Sequence, residues 1–154
     1  MKTLYKTALC IIAVIISAGC SQKFQPQSSE VSLLYKDANG VIAVKSVGYG
    51  KDRLAAVTDA QINAFKVVLF RGVPGTNVGI PLVENEQEAT SRNPYYFSRF
   101  FDQQIFRNFM VAYEESSSLT RAYGTNRISV DVKINFIALR RDLEQNNIIR
   151  KFGY

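Results

Sequence analysis

The chain of 154 residues contains no histidine and no tryptophan, two cysteines and four prolines. Each shortage excludes something. Without histidine there is no Ser-His-Asp or Cys-His arrangement and no imidazole metal ligand, and the usual side chain for moving protons near neutral pH is missing. Carboxylate and lysine chemistry stay open. Long hydrophobic runs are lacking too. The run Ala8–Ile16, "ALCIIAVII", has nine residues, against the about 20 that a membrane-spanning helix needs. It follows Lys2 and Lys6 and ends in the small residues Ser17, Ala18 and Gly19, just before Cys20. A basic start, a short apolar segment and small residues before a break form the pattern of a secretory signal peptide.

The junction "SAGC" resembles the lipobox of bacterial lipoproteins, which usually reads leucine, alanine or serine, glycine or alanine, then cysteine. Ser17 stands where that family prefers leucine, and Ile16 lies one place early. The resemblance implies cleavage before Cys20, a diacylglycerol on its sulfur and an acylated amine. Acyl chains contribute about 0.8 kcal/mol per buried CH₂, so two or three of them hold a protein on a bilayer essentially permanently. Ser21 follows the cysteine in place of the aspartate read as inner-membrane retention, and "SQKF" lacks the acidic cluster of surface-exported lipoproteins. By the same resemblance the expected location is the outer membrane, facing the periplasm. An ordinary signal peptide with a free Cys20 and an uncleaved anchor are the competing readings.

The expected organisation is therefore a signal peptide over 1–19, a lipidated flexible tether over 20–30 and a single domain over 31–154, a size that suits one core. With Cys10 removed and Cys20 acylated, the mature domain has no free thiol and no disulfide. Loss of Lys2 and Lys6 takes the formal charge from +6 to about +4, a mild attraction to anionic surfaces. The basic residues are scattered, with Arg140, Arg141, Arg150 and Lys151 their one concentration. A nucleic-acid footprint is denser than this, and none is expected.

Residues 21–30, "SQKFQPQSSE", are polar and aperiodic. "VSLLYK" and "VIAVKSVGYG" flank Asn39-Gly40, a strong hairpin signal because both residues tolerate positive φ. Strands are expected over 31–36 and 41–49. Leu54, Thr58, Ile62, Phe65 and Leu69 recur at helical spacing, predicting a helix over about 52–71 that Gly72 and Pro74-Gly75 end. A long connection, 72–92, carries Pro81 and the acidic "ENEQE". Asn93-Pro94 is a helix start, and an aromatic helix is expected over about 94–114. A strand pair over 119–124 and 127–138 turns at Gly124-Thr125-Asn126. Its second member alternates Ile128, Val130, Val132, Ile134 and Phe136 with polar residues, a half-buried strand. A short helix over about 139–150 follows. The order ββααββα predicts an α+β domain, an antiparallel sheet of about four strands with helices on one face.

"GYGKDR", residues 48–53, looks like a phosphate loop at first. Arg53 stands where the dinucleotide fingerprint needs its third glycine, and Asp52 follows Lys51 where the P-loop needs serine or threonine. Glycines that let a strand turn tightly into a helix explain it better. Glu84, Glu86 and Glu88 lack calcium-loop spacing and read as solvated acids; a glycosidase-type acid pair cannot be picked from scattered carboxylates. No metal or cofactor is expected. The aromatic helix carries more large apolar side chains than one core-facing stripe needs. A core role explains most of them, and the excess points to a partner surface or an apolar ligand pocket. The candidate partner surface is the stiffened connection and the helix start: Pro74, Pro81, Tyr95, Tyr96 and Phe100.

Gly48–Gly72, with "GYG", Ala55, "DA" at 59–60 and "NAF" at 63–65, resembles the small α+β modules of envelope lipoproteins of the LPP-twenty and flagellar-assembly T-protein N-domain kind. The fuller order, with "LFRGVPGT" and "PLV" before the aromatic helix, resembles lipoproteins of the Bacteroidetes-type type VI secretion apparatus, the TssQ kind. That resemblance implies a non-enzymatic, outer-membrane-anchored component of an envelope-spanning complex. A lipoprotein binding module for a small apolar or glycan ligand is the alternative, marked by an aromatic-lined pocket of several hundred Å³. Oligomeric state is left open.

Overall fold

A computed structural model of the chain describes residues 30–73 and 79–151. Strands β1 (Val31–Lys36) and β2 (Val41–Gly50) form the first hairpin. Its turn spans residues 37–40, as the expected strand bounds leave. The Asp37 carboxylate accepts from the backbone N–H groups of Asn39 and Val41, both at 2.9 Å, and Gly40 alone supplies a positive φ, +78°. β2 pairs antiparallel with β5 (Thr125–Asn135) along its whole length, from Val41 opposite Asn135 to Gly50 opposite Asn126. The expected turn before β5 shifts. Thr125 and Asn126 belong to β5, and Tyr123-Gly124 makes the two-residue loop, both at positive φ. β3 (Met110–Glu115) and the short β4 (Thr120–Ala122) share the far edge of β5, giving the order β1-β2-β5-β3 with β4 beside β5.

Helix α1 (Arg53–Phe70) lies on this sheet. The Asp52 side chain caps its start by accepting from Ala55 N–H at 2.8 Å. Of the residues at helical spacing, Phe65 and Leu69 are fully buried, but Leu54 is 74% exposed. Small residues set the contact face instead. A Cβ added at Gly48 would sit 2.2 Å from both Ala56 O and Ala60 N, and one at Gly50 would sit 2.4 Å from Ala56 N. Ala56, Ala60 and Ala64 are all fully buried. Alanine against glycine lets helix and strand approach more closely than any pair of larger residues, and that approach decides which side of α1 is turned down.

The long aromatic helix does not exist. Its place is taken by α3 (Pro94–Phe101), a 3-10 turn (Ile105–Phe109) and β3, and a short helix α2 (Glu86–Arg92) lies within the expected connection. The break falls at Gln104, which takes a left-handed φ of +58°. A continuous helix over 94–114 would scatter its aromatics around the cylinder. Breaking it sends Phe106 onto Phe65 at 5.1 Å and Phe109 onto Phe100 at 6.0 Å, into one cluster. The break also frees residues 110–115 to pair with Val130–Ile134. Without β3, a strand with fully buried side chains would present a bare row of backbone groups, which folds avoid.

Helix α4 (Phe136–Gln145) starts earlier than expected because Asn135 caps it, accepting from Ala138 N–H at 2.9 Å. Its Leu139 and Leu143 join Ile42, Val44, Phe65, Phe100, Phe106, Ile128, Val130, Val132 and Ile134 in one core. The expectation of an α+β fold with an antiparallel sheet is met, with five strands and four α-helices among the described residues. The other sheet face carries the alternate residues, including Tyr35, Ala43, Lys45, Asp131 and Lys133.

Candidate functional site

"GYGKDR" is a packing and capping device. Gly48 and Gly50 are filled from above by the backbone of α1, and the helix N-terminus that would receive a phosphate is already occupied by the Asp52 carboxylate. The neighbouring "DA" and "NAF" have a related task. β1 begins at Val31, so among the described residues no strand lies beside the outer edge of β2 beyond Val47. Asp59 accepts from Tyr49 N–H at 2.9 Å, and Asn63 donates to Val47 O at 3.1 Å and to Asp59 at 3.1 Å. Two side chains of α1 thus stand in for a missing ladder. Burial pushes the Asp59 carboxyl above its usual range, while the donors from Tyr49 and Asn63 oppose that shift.

The proposed partner residues separate once placed. Cys20 and Pro74 lie outside the described residues. Pro81 is half-buried beside Val83, whose N–H donates to Leu69 O at 2.8 Å. Val73 and Val83 are both in the core, so the connection is tied down on either side of the undescribed residues. Phe100 is 1% exposed, at the centre of the aromatic cluster, and offers no surface to a partner; this corrects the reading of it as a contact residue. Tyr96 is half-buried, stacked on Phe100 at 5.8 Å and edge-on to Phe97 at 5.2 Å. Tyr95 is 74% exposed, with the Arg99 guanidinium 5.6 Å from its ring centre.

The Tyr96 hydroxyl donates to Asp142 of α4 at 2.7 Å, tying α3 to α4. Burial first, and the Asp142 carboxylate second, raise the phenol far above its ordinary pKa, so it stays protonated across the physiological range. Two substitutions follow with different expected outcomes. Tyr96→Phe leaves Asp142 without its donor and should cost about 1.5 kcal/mol. That is roughly 6 °C of Tm for a domain of this size. Tyr95→Ala loses only an exposed ring–cation contact and should stay within about 1 kcal/mol. Thermal melts of the two single variants check this, and equal losses would move Tyr95 into the core.

The acidic segment is also accounted for locally. Asn85 caps α2 by accepting from Glu88 N–H at 3.0 Å, Glu86 and Glu88 sit in its first turn, and Glu88 pairs with Arg92 at 2.6 Å. Among the described residues no three His, Cys, Asp or Glu side chains gather as metal ligands. An open hollow of about 290 Å³ lies on the sheet face away from α1. It forms because Ala43 and Ala112 are small in the row that runs from Tyr35 across Ala43 and Lys133 to Ala112. Its walls are Leu34, Tyr35, Tyr113, Glu114, Asp131 and Lys133. Sequence reasoning passed over this face because Val111, Ala112 and Tyr113 were read as helix; Tyr113 is in fact 51% exposed on a strand.

The described chain is an α+β protein, an antiparallel sheet with helices packed over one face. Compared with known proteins, it matches no family model, no curated protein and no solved structure.

Proposed function

We propose that this chain is a lipid-anchored periplasmic protein of the bacterial outer membrane, a non-enzymatic component of an envelope-spanning complex of the type VI secretion kind. The observation that carries the reading is the junction of the "ALCIIAVII" run with "SAGC" at Cys20. The attachment is Cys20 itself; no cofactor is part of the reading. Docking draws on a domain whose glycine-rich segment serves packing and whose Tyr95 and Ile80 are both exposed. The open-face hollow supports the ligand-binding alternative less well, since at about 290 Å³ it falls just under the roughly 300–1,000 Å³ of small-molecule pockets.

Cys20→Ala tests the reading. The variant should lose incorporation of an alkyne fatty acid and fail to co-purify with envelope proteins that the wild type brings down from detergent-solubilised membranes. Its Tm should not change. Undiminished label in the variant would defeat the anchor, and unchanged co-purification from an unlabelled variant would defeat the link between anchoring and assembly.

A further inference from the structure

We infer that one end of the sheet, formed by the β2–α1 turn and the β4–β5 turn, rests on an anionic phospholipid surface when the chain is anchored; this deepens the anchoring reading and depends on it. The first ground is where the chain enters. Glu30 O accepts from Val47 N–H at 3.2 Å, three residues from the end of β2, and the Glu30 side chain bonds Arg127 at 3.1 Å. The described chain therefore begins at this end of the sheet. Cys20 is ten residues earlier in the sequence, so the span to the acylated sulfur is at most about 35 Å.

The second ground is what this end displays. Tyr123 is 75% exposed and Leu54 is 74% exposed. Tyr123 occupies the first loop position of a hairpin turn at φ +52°. An L-residue there carries about 1–2 kcal/mol of strain, and asparagine or glycine is the ordinary occupant. Tight-turn geometry does not ask for tyrosine; an amphipathic ring with an apolar body and a wet hydroxyl suits the lipid headgroup level. Strain kept at an exposed tip is a mark of use.

The third ground is charge. Two ion pairs neutralise themselves, Arg53 with Glu115 at 2.8 Å and Arg127 with Glu30 at 3.1 Å, and Asp52 is engaged as the cap of α1. Lys51 and Arg121 form no ion pair among the described residues. Asn126 holds them together: it sits opposite Arg121 and donates to Lys51 O at 2.8 Å. Each such cation near an anionic leaflet is worth roughly fivefold in partitioning.

The absence of tryptophan makes the test clean. The lipidated full-length mature protein carries a single introduced fluorophore, Tyr123→Trp or Ile80→Trp, in phosphatidylethanolamine–phosphatidylglycerol vesicles with brominated acyl chains. Ile80 is 78% exposed but lies at the far end of α1, about 25 Å away along the helix axis. The Tyr123→Trp protein should be blue-shifted and quenched, the Ile80→Trp protein neither. Lys51→Glu with Arg121→Glu, added to Tyr123→Trp, should abolish the quenching without moving Tm. If intact mass shows acylation and both fluorophores respond alike, or charge reversal changes nothing, the orientation is wrong and the anchor stands. If no acyl mass is found, the anchor fails and this inference falls with it.

Discussion

Gly48→Ala is expected to destabilise the fold severely. The added methyl would lie 2.2 Å from Ala56 O and 2.2 Å from Ala60 N. Neither neighbour is a side-chain tip that can rotate away, because both belong to the backbone of α1 inside its hydrogen-bonded ladder. Relief requires lifting the helix off β2, which opens space beneath Ala56, Ala60 and Ala64, all fully buried. Overpacking a flexible core costs about 1–3 kcal/mol; against a backbone wall the loss should exceed about 4 kcal/mol. For a domain of this size that is roughly 15 °C or more of Tm. Gly124→Ala is the matched comparison. Nothing lies within 4 Å of its added carbon, and only the φ of +79° opposes it, at about 1–2 kcal/mol. Denaturant melts rank the two. A Gly48→Ala protein that melts within a few degrees of wild type would mean that α1 does not sit this close to the strand.

The same contact explains where sequence reasoning held and where it failed. The bounds of β1, β2 and α1 were legible because local chemistry sets them: Asp37 and Gly40 close the hairpin, and Asp52 caps the helix. The face of α1 was not. Counting large apolar residues favours the stripe through Leu54, whereas the sheet beneath is glycine at 48 and 50 and accepts only alanine there. That constraint is carried by a neighbouring element and is invisible to periodicity within the helix.

The break at Gln104 was hidden for a similar reason. "FFDQQIFRNFM" holds no proline or glycine to mark a stop, and what overrides helix propensity is the bare edge of β5, supplied by a strand some twenty residues further along. Of the surface residues chosen from sequence, Tyr95 is exposed while Tyr96 and Phe100 turn inward. Adjacent aromatics on a helix point about 100° apart, so one face cannot hold all three. Tyr123 drew no notice because a tyrosine before a glycine reads as a strand end until both residues are found at positive φ.

β5 buries the expected face from Ile128 to Ile134, although it runs over Thr125–Asn135 and leaves Phe136 to α4, and it gives the second large effect. Ile128, Val130, Val132 and Ile134 are all 0% exposed, while Lys133 between them is exposed. Ile134 lies between Ile42 on β2 and Met110 on β3, on an interior strand of the sheet. Ile134→Asp removes about 2–3 kcal/mol of apolar burial and places a carboxylate where it has no partner, at several kcal/mol more. The sum approaches the whole stability of a small domain, about 5–15 kcal/mol, so no cooperative melt is expected at pH 7. Burial disfavours the charged form and raises the pKa of the introduced carboxyl in the folded state. Its penalty is therefore smallest below the unfolded value, about 3.9, and grows as pH rises. Any residual fold should accordingly appear near pH 4 and vanish toward pH 7. Ile134→Val keeps the shape and should lose only about 0.5–1.5 kcal/mol. Lys133→Ala gives up a cation 6.0 Å from the Tyr35 ring centre, worth at most about 1 kcal/mol at an exposed site. Circular dichroism melts across this pH range separate the three. Equal losses for Ile134→Asp and Lys133→Ala would put β5 in the opposite register, with its charged face turned into the core.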